Sequence, residues 1–337
     1  MRAVQLRKHE PSKHTLTFFP INDKLRIMQR LLIIGTYNYI HRAYHALPKS
    51  FKDANGEPTN AIYGFTSMLI STFDTLKPTY VVAAFDDEST PTFRDEQFDK
   101  YKATRKETDQ ELISQIPKIQ EVIDAFGVLS LVLPRFEADD IIGTISKQAE
   151  KEGIEVVIVS NDKDILQLLS PMTRVFMPDN SKEGGKFFGV AEFKEKYGFE
   201  PIQMIDYKSL RGDTSDNIPG VFGIGEKTAS ELIQKYRTVE NLYENIDDIQ
   251  QEALKNKLMH GYESAVLSKK LVTIDRDADV KLDLKVSKLK QVDRLKVVEV
   301  LKKYNFRSLI RRMGFEVEGY EPKKRVKGEN KSQLSML

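Results

Sequence analysis

Four short apolar runs constrain this chain more than any other feature: RLLIIG (30–35), YVVAAFD (80–86), VLSLVL (128–133) and EVVIVSND (155–162). Runs this short and this continuously apolar suit strands buried on both faces of a parallel sheet. Between them lie helical patterns at about 60–75, 112–125 and 138–151. Strand–helix alternation predicts an α/β fold, a parallel sheet with helices on both faces. Functional groups in such sheets gather just beyond the carboxyl ends of the strands. With 337 residues the chain has room for two domains, or one large domain with an appendage.

Acidic residues stand at those strand ends. Asp86 closes the second run; Glu137, Asp139 and Asp140 follow the VLSLVL run at the start of a helical pattern; Asp162 and Asp164 follow the last. Asp213 and Asp216 lie three apart in a Gly/Ser/Asn-rich segment too polar for a core. Each group alone also reads as a helix cap or first-turn acid. Together on one sheet edge they would repel one another and raise their own pKa values. Divalent cations relieve such repulsion. The chain has no cysteine, and its five histidines (His9, His14, His41, His45, His260) lack ligand spacing. All-oxygen ligation points to magnesium or manganese.

The second acid pair sits inside RGDTSDNIPGVFGIGEKTASELI (211–233). A glycine hairpin carrying Gly220, Gly223 and Gly225 opens here into an amphipathic helix from about Glu226. Glycines permit positive φ and close backbone approach, and the N–H groups that open a helix bind anions. Lys227 and Thr228 would add a charge and a hydroxyl to the same phosphate. Read singly, the acid pair is also a helix cap and the glycines a plain turn. Side by side, an acid pair and a phosphate cradle suggest chemistry on nucleic acid. The net charge of +2 adds nothing to that, because fifty acids offset fifty-two bases. KYKATRK (100–106) supplies four cations and an aromatic, a patch that could grip a strand and stack a base on Tyr101, or simply a solvated loop.

RFEADDIIG (135–143), SNDKDILQLL (160–169) and GDTSDNIPGVFGIGEKTA (212–229) resemble the bacterial 5′–3′ exonuclease and flap endonuclease family: the N-terminal 5′ nuclease domain of DNA polymerase I and its free-standing relatives. YNYIHRAYHALP (37–48), NAIYGF (60–65), FRDE (93–96) and YKATR (101–105) match as well, and the likeness runs from about Leu31 to Met313. The resemblance implies a PIN-like sheet flanked by helices and a C-terminal helix-two-turn-helix subdomain that grips duplex DNA. It implies two magnesium or manganese ions, one held by Asp86, Glu137, Asp139 and Asp140, the other by Asp162, Asp164, Asp213 and Asp216. The hairpin corresponds to the family's duplex-gripping element, which often holds a potassium ion. Residues 88–112 correspond to an arch that threads the 5′ end, with Lys102 and Arg105 facing the scissile phosphate, and Arg42 to a substrate-contacting arginine. One position departs from the pattern. The family's first strand ends in a metal-ligating aspartate seven residues before the arginine matched by Arg42; here that position is Gly35. Catalysis is therefore expected to be slowed, with fold and DNA binding kept.

The expected division is an extension at 1–29 with Met28 as a candidate start, a nuclease domain at 30–200, a helical subdomain at 201–315 (helices at 226–236, 262–271 and 292–303) and a flexible tail at 318–337. The last five residues, Gln333, Leu334, Ser335, Met336 and Leu337, partly match a sliding-clamp-binding pentapeptide. No run of eighteen apolar residues exists, so no membrane span is expected. A monomer in the cytoplasm, at the nucleoid, follows from the resemblance. Two rivals are a DNA junction-binding protein that does not cut, and an RNase of the related PIN class, which generally lacks the hairpin.

Overall fold

The computed structural model describes residues 29–53, 55–179, 184–290 and 292–315. The extension apart from Gln29, the candidate start Met28, the tail and the pentapeptide at 333–337 lie outside the described residues.

Six strands form one sheet: β1 (Arg30–Gly35), β2 (Tyr80–Phe85), β3 (Leu129–Val132), β4 (Glu155–Val159), β5 (Thr173–Pro178) and β6 (Gly185–Phe188). Their order is β3-β2-β1-β4-β5-β6, all parallel except β6. Between and after them run α1 (Thr36–Ala46), α2 (Asn60–Leu76), the short α3 (Phe93–Gln97) and α4 (Gln110–Ile113), α5 (Ile116–Ala125), α6 (Ala138–Lys151) and α7 (Val190–Tyr197). The period-two geometry of a strand sorts side chains between faces. Leu31 and Ile33 of β1 pack with Ile141, Ile142 and Ile145 of α6, whereas Leu32 and Ile34 pack with Tyr39, Phe65 and Ile123 of α1, α2 and α5. Both faces are covered, which is why the four runs are apolar throughout. Chain direction in the strand order reverses at β1, between β2 and β4, where α/β sheets open a crevice for ligands.

The four expected strands and the helix at 138–151 appear within a few residues of their expected bounds. The helix expected over 112–125 is two helices. Pro117, in the first turn of α5, has no N–H to continue a preceding helix but suits the start of a new one. The buried Gln115 fastens this break, accepting from Ala61 N at 2.9 Å.

Beyond the sheet come α8 (Met204–Arg211), α9 (Glu226–Tyr236), α10 (Val239–Glu244), α11 (Glu252–His260) and α12 (Tyr262–Val272). Their apolar faces continue the α6-side core, with Leu210, Ile233, Leu242 and Leu258 in the same cluster as Ile141. The last helices, α13 (Arg294–Lys303) and α14 (Arg307–Arg312), do not stay with them. Val297, Leu301 and Ile310 pack on the opposite face, in the cluster of α2 and α5. Lys303 Nζ caps that contact on Glu121 at 2.8 Å. By packing, residues 294–313 therefore complete the sheet domain, not the helical region to which 201–315 was assigned as a unit.

Candidate active site

The carboxylates meet where the sequence places them, at the carboxyl edge around β1. Asp86, just past β2, accepts from Ala138 N at 2.9 Å, which fixes it against the opening of α6. Glu137 is the N-cap of that helix, and Asp140 accepts from Glu137 N at 3.0 Å in a capping box. Asp162 accepts from Asp164 N at 2.9 Å, bending the chain after β4 into a 3₁₀ turn. Asp213 and Asp216 sit in a turn closed by paired backbone bonds between Asp213 and Ile218, at 2.9 and 2.8 Å. Loss of hydration raises the pKa of Asp139 well above the carboxylate range, and Asp162, Glu137 and Asp86 push it further. Asp86 and Asp162 are raised as well, first by burial.

Three basic side chains answer this repulsion. Lys208 of α8, 5% exposed, bridges Asp164 and Asp213, with Nζ 2.6 Å from Asp213 Oδ2. Burial works against ionisation of Asp213, but Lys208 and Ser215 hold its pKa down at about 2. Lys102 pairs with Glu137, and Arg105 with Asp216 at 2.6 Å. Among the described residues no three carboxylates are drawn close enough to hold a metal ion outright. The donor set nevertheless fits a divalent cation. It is all oxygen, it is crowded, and burial together with the neighbouring carboxylates makes its most buried members resist ionisation. Asp140 departs from the expectation. Both its oxygens are taken by Arg94, each at 2.8 Å, and by the amides of Glu137 and Asp275, so it anchors the site rather than facing into it.

Gly35 ends β1 between these groups. Its φ of −74° is open to any residue, and a Cβ there would meet nothing nearer than Val159 O at 3.5 Å and Ile142 Cδ1 at 3.6 Å. The position thus faces α6, and neither strain nor crowding demands glycine.

The segment expected to arch over the site is folded onto it. Lys102 N donates to Asp216 O at 2.9 Å, and Asn217 Nδ2 to Lys100 O at 2.6 Å, tying 98–105 to the acid turn. Tyr101 is 6% exposed, packed with Ile205, Ile218 and Leu271, its hydroxyl 3.3 Å from Glu137. It is not free to stack a base; an aromatic between lysines reads as a surface residue until the partners that cover it are known. Arg42 is half-buried on α1 and lines a cavity of about 300 Å³ with Ser71 and Arg312.

In the hairpin, Gly220 has φ +60°, and a Cβ there would fall 2.2 Å from Gly212 N, so two backbones meet where no side chain fits. Ser268 and Ser264 of α12 clamp this turn through Gly220 N and O. Gly223 has φ +80°, with Lys257 beneath it. Gly225 differs from expectation: it has neither positive φ nor a close neighbour and serves as the N-cap of α9. No side chain caps that helix, so its first amides face outward beside Lys227, whose side chain is 89% exposed, and the half-buried Thr228.

Two family models cover most of this architecture: the 5′-3′ exonuclease N-terminal resolvase-like domain at residues 30–198, and the 5′-3′ exonuclease C-terminal SAM fold at 199–295. The chain belongs to the 5′-3′ exonuclease family. DNA polymerase I of Bacillus caldotenax is 43% identical over 285 residues, 85% of this chain and 32% of that protein. The chain thus spans about a third of the length of the curated relatives it matches, 32% of the DNA polymerases I of Bacillus caldotenax and Bacillus subtilis. The fold matches the zinc-bound T5 5′-exonuclease (TM-score 0.58, 21% identity, covering 82% of this chain and 100% of that one). It also matches T5 D15 flap endonuclease in a complex with DNA and metal ions (TM-score 0.61, 20% identity, 82% and 99% covered).

Two residues of this family member escaped the sequence reading. Lys208 lies in MIDYKSL, an otherwise buried stretch, and a lysine there is the signal that could have flagged it. Arg94 lies inside FRDE, where nothing local marks an arginine as buried. Phe222, 94% exposed at the hairpin tip, is a third unassigned feature.

Proposed function

We propose that the chain is a structure-selective 5′ nuclease that hydrolyses DNA at flaps and free 5′ ends, in primer or flap removal during replication and repair. The observation that carries this is the gathering of Asp86, Glu137, Asp139, Asp162, Asp164, Asp213 and Asp216 on one sheet edge, interleaved with Lys102, Arg105 and Lys208. Asp86, Glu137 and Asp139 would hold one magnesium or manganese ion, and Asp162, Asp164, Asp213 and Asp216 the second. Such ions, when bound, polarise the phosphodiester and activate the attacking water. Lys102 and Arg105, released from Glu137 and Asp216, would turn to the scissile phosphate and neutralise charge as it builds. Lys208 keeps Asp213 ionised and ready to bind. The amides opening α9, with Lys227 and Thr228, would hold a duplex phosphate regardless of sequence, with a potassium ion at Gly220–Gly225 as a further expected ligand.

Gly35 favours a second reading, a DNA junction-binding protein that does not cut. Magnesium-dependent cleavage of a 5′-flap duplex separates the two. The nuclease reading expects cutting that chelation abolishes and that Gly35→Asp accelerates. No cutting by the chain as given, with flap binding intact, leaves the binding protein, and cutting gained only with Gly35→Asp would make Gly35 the cause. For the pentapeptide at 333–337 we propose weak, micromolar-order docking on a sliding clamp, as fits so short a contact sequence. A truncation at residue 332 that bound purified clamp as well as the full chain would refute it.

A further inference from the structure

Arg94 is the largest fully buried side chain of the described residues, 2% exposed, and its guanidinium is engaged on every side. Its two terminal nitrogens grip Asp140 bidentately, each at 2.8 Å. Nε donates to Leu271 O at 2.9 Å and Nη2 to Thr273 O at 2.7 Å. Nη1 stands 3.6 Å from Glu137 Oε2. Asp140 accepts in turn from Glu137 N at 3.0 Å and from Asp275 N at 2.8 Å. One planar group therefore joins three parts of the fold: α3 at the root of the 98–105 segment, the opening of α6 that carries Glu137 and Asp139, and the strand-like exit of α12. The same α12 clamps the phosphate-binding hairpin at its other end, through Ser264 and Ser268.

We propose that Arg94 is a positioning residue that locks the carboxylates at the opening of α6 to the helical DNA-binding region, so that cation binding and the seating of α12 stabilise each other. The inference rests on the nuclease reading of this site. A fork of five fixed donors is needed, because a point charge cannot grip a carboxylate bidentately while also reaching two carbonyls. A buried pair kept only for stability would be replaceable by apolar residues of similar volume; a positioning pair would not.

The test uses the full chain, with manganese as the probe. Amide exchange is followed in the 271–277 segment, where Asp275 N–H donates to Asp140, with and without saturating manganese. The proposal expects exchange there to slow on manganese binding in the wild-type chain and to be unaffected by manganese in Arg94→Lys and in the apolar double variant Arg94→Met/Asp140→Leu. Manganese affinity of each folded variant should fall about 10–100-fold, the usual scale for groups that orient metal ligands. On flap DNA the loss should appear in kcat rather than KM. Unchanged exchange in the wild-type chain overturns the proposal whether or not the variants fold, and so does a folded variant that binds manganese like wild type. Absence of all DNA cleavage, with the exchange coupling intact, would count against the nuclease reading and leave the coupling standing.

Discussion

Gly35 stands one residue past Ile34, the partner of Val159 on β4, with 3.5 Å between the Val159 carbonyl oxygen and the point where a Gly35 Cβ would stand. That separation is ordinary contact, so the end of β1 can accept a side chain aimed at α6 without moving its neighbours. Gly35→Asp should fold, with a melting temperature lowered in chelator and recovered with magnesium, because it adds a buried carboxylate to an acidic cluster. It should also raise magnesium-dependent flap cleavage by at least about 10-fold, since even groups that only orient metal ligands are worth that much. Single-turnover rates for both chains decide it; equal rates would remove position 35 from the site.

The open start of α9 yields a second expectation. Lys227→Ala should weaken duplex binding evenly across sequences and make the slope of log affinity against log salt shallower by about 0.9, one phosphate's worth. Among the described residues it pairs with Glu231, 3.9 Å away on the surface, so stability should hardly change. A slope identical to wild type places Lys227 off the DNA.

Burial of Tyr101 against Ile205, Ile218 and Leu271 sets a third. Tyr101→Ala should cost about 3–5 kcal/mol, the scale of a large aromatic truncation in a core, whereas Tyr101→Phe, which keeps the ring, should retain single-strand affinity. Thermal melts together with a titration of single-stranded DNA test both statements. A stable Tyr101→Ala that has lost strand binding would mean that the ring stacks on a base after all.

A fourth concerns Leu301, fully buried where α13 meets the α2–α5 face. Leu301→Ala should cost about 2–5 kcal/mol and lower the unfolding transition of the sheet domain. If it instead disturbed only duplex affinity, α13 would belong with the helical region.

Far from the site, Glu155 is buried between Arg30 and Arg174 at 2.9 and 2.5 Å. Burial raises its pKa, but the two guanidiniums outweigh that and hold it below the usual carboxylate value. A group depressed on folding stabilises the fold above its unfolded pKa of about 4.3 and loses that contribution as pH falls through the lower folded value. Glu155→Gln should therefore flatten the acid limb of the stability curve below about pH 4. Superimposable acid limbs in urea titrations would show that the pair contributes nothing.

The sheet was legible because burial on both faces writes itself as unbroken apolar runs, and Asp86, Glu137 and Asp162 were legible because a strand end is a fixed address. Arg94 and Tyr101 were not. Their environments are built by Leu271, Thr273 and Ile218, far along the chain, and nothing local to FRDE or KYKATRK distinguishes a buried fork or ring from a solvated one. Lys208 escaped for a related reason: the two acids that hold it come from separate turns, one reached only across space. The packing of α13 and α14 on the α2–α5 face was not legible either, because sequence adjacency says nothing about which core a terminal helix rejoins.

That return of the chain has a consequence for biosynthesis. The α2–α5 face that α13 covers is made early, yet its cover leaves the ribosome about 180 residues later, roughly 10–40 s at ordinary elongation rates. Even after β6 is made, more than a hundred residues before α13, the nascent sheet domain presents an apolar surface around Ile123 whose partner is not yet synthesised, the kind of exposed surface that makes a growing chain prone to aggregation.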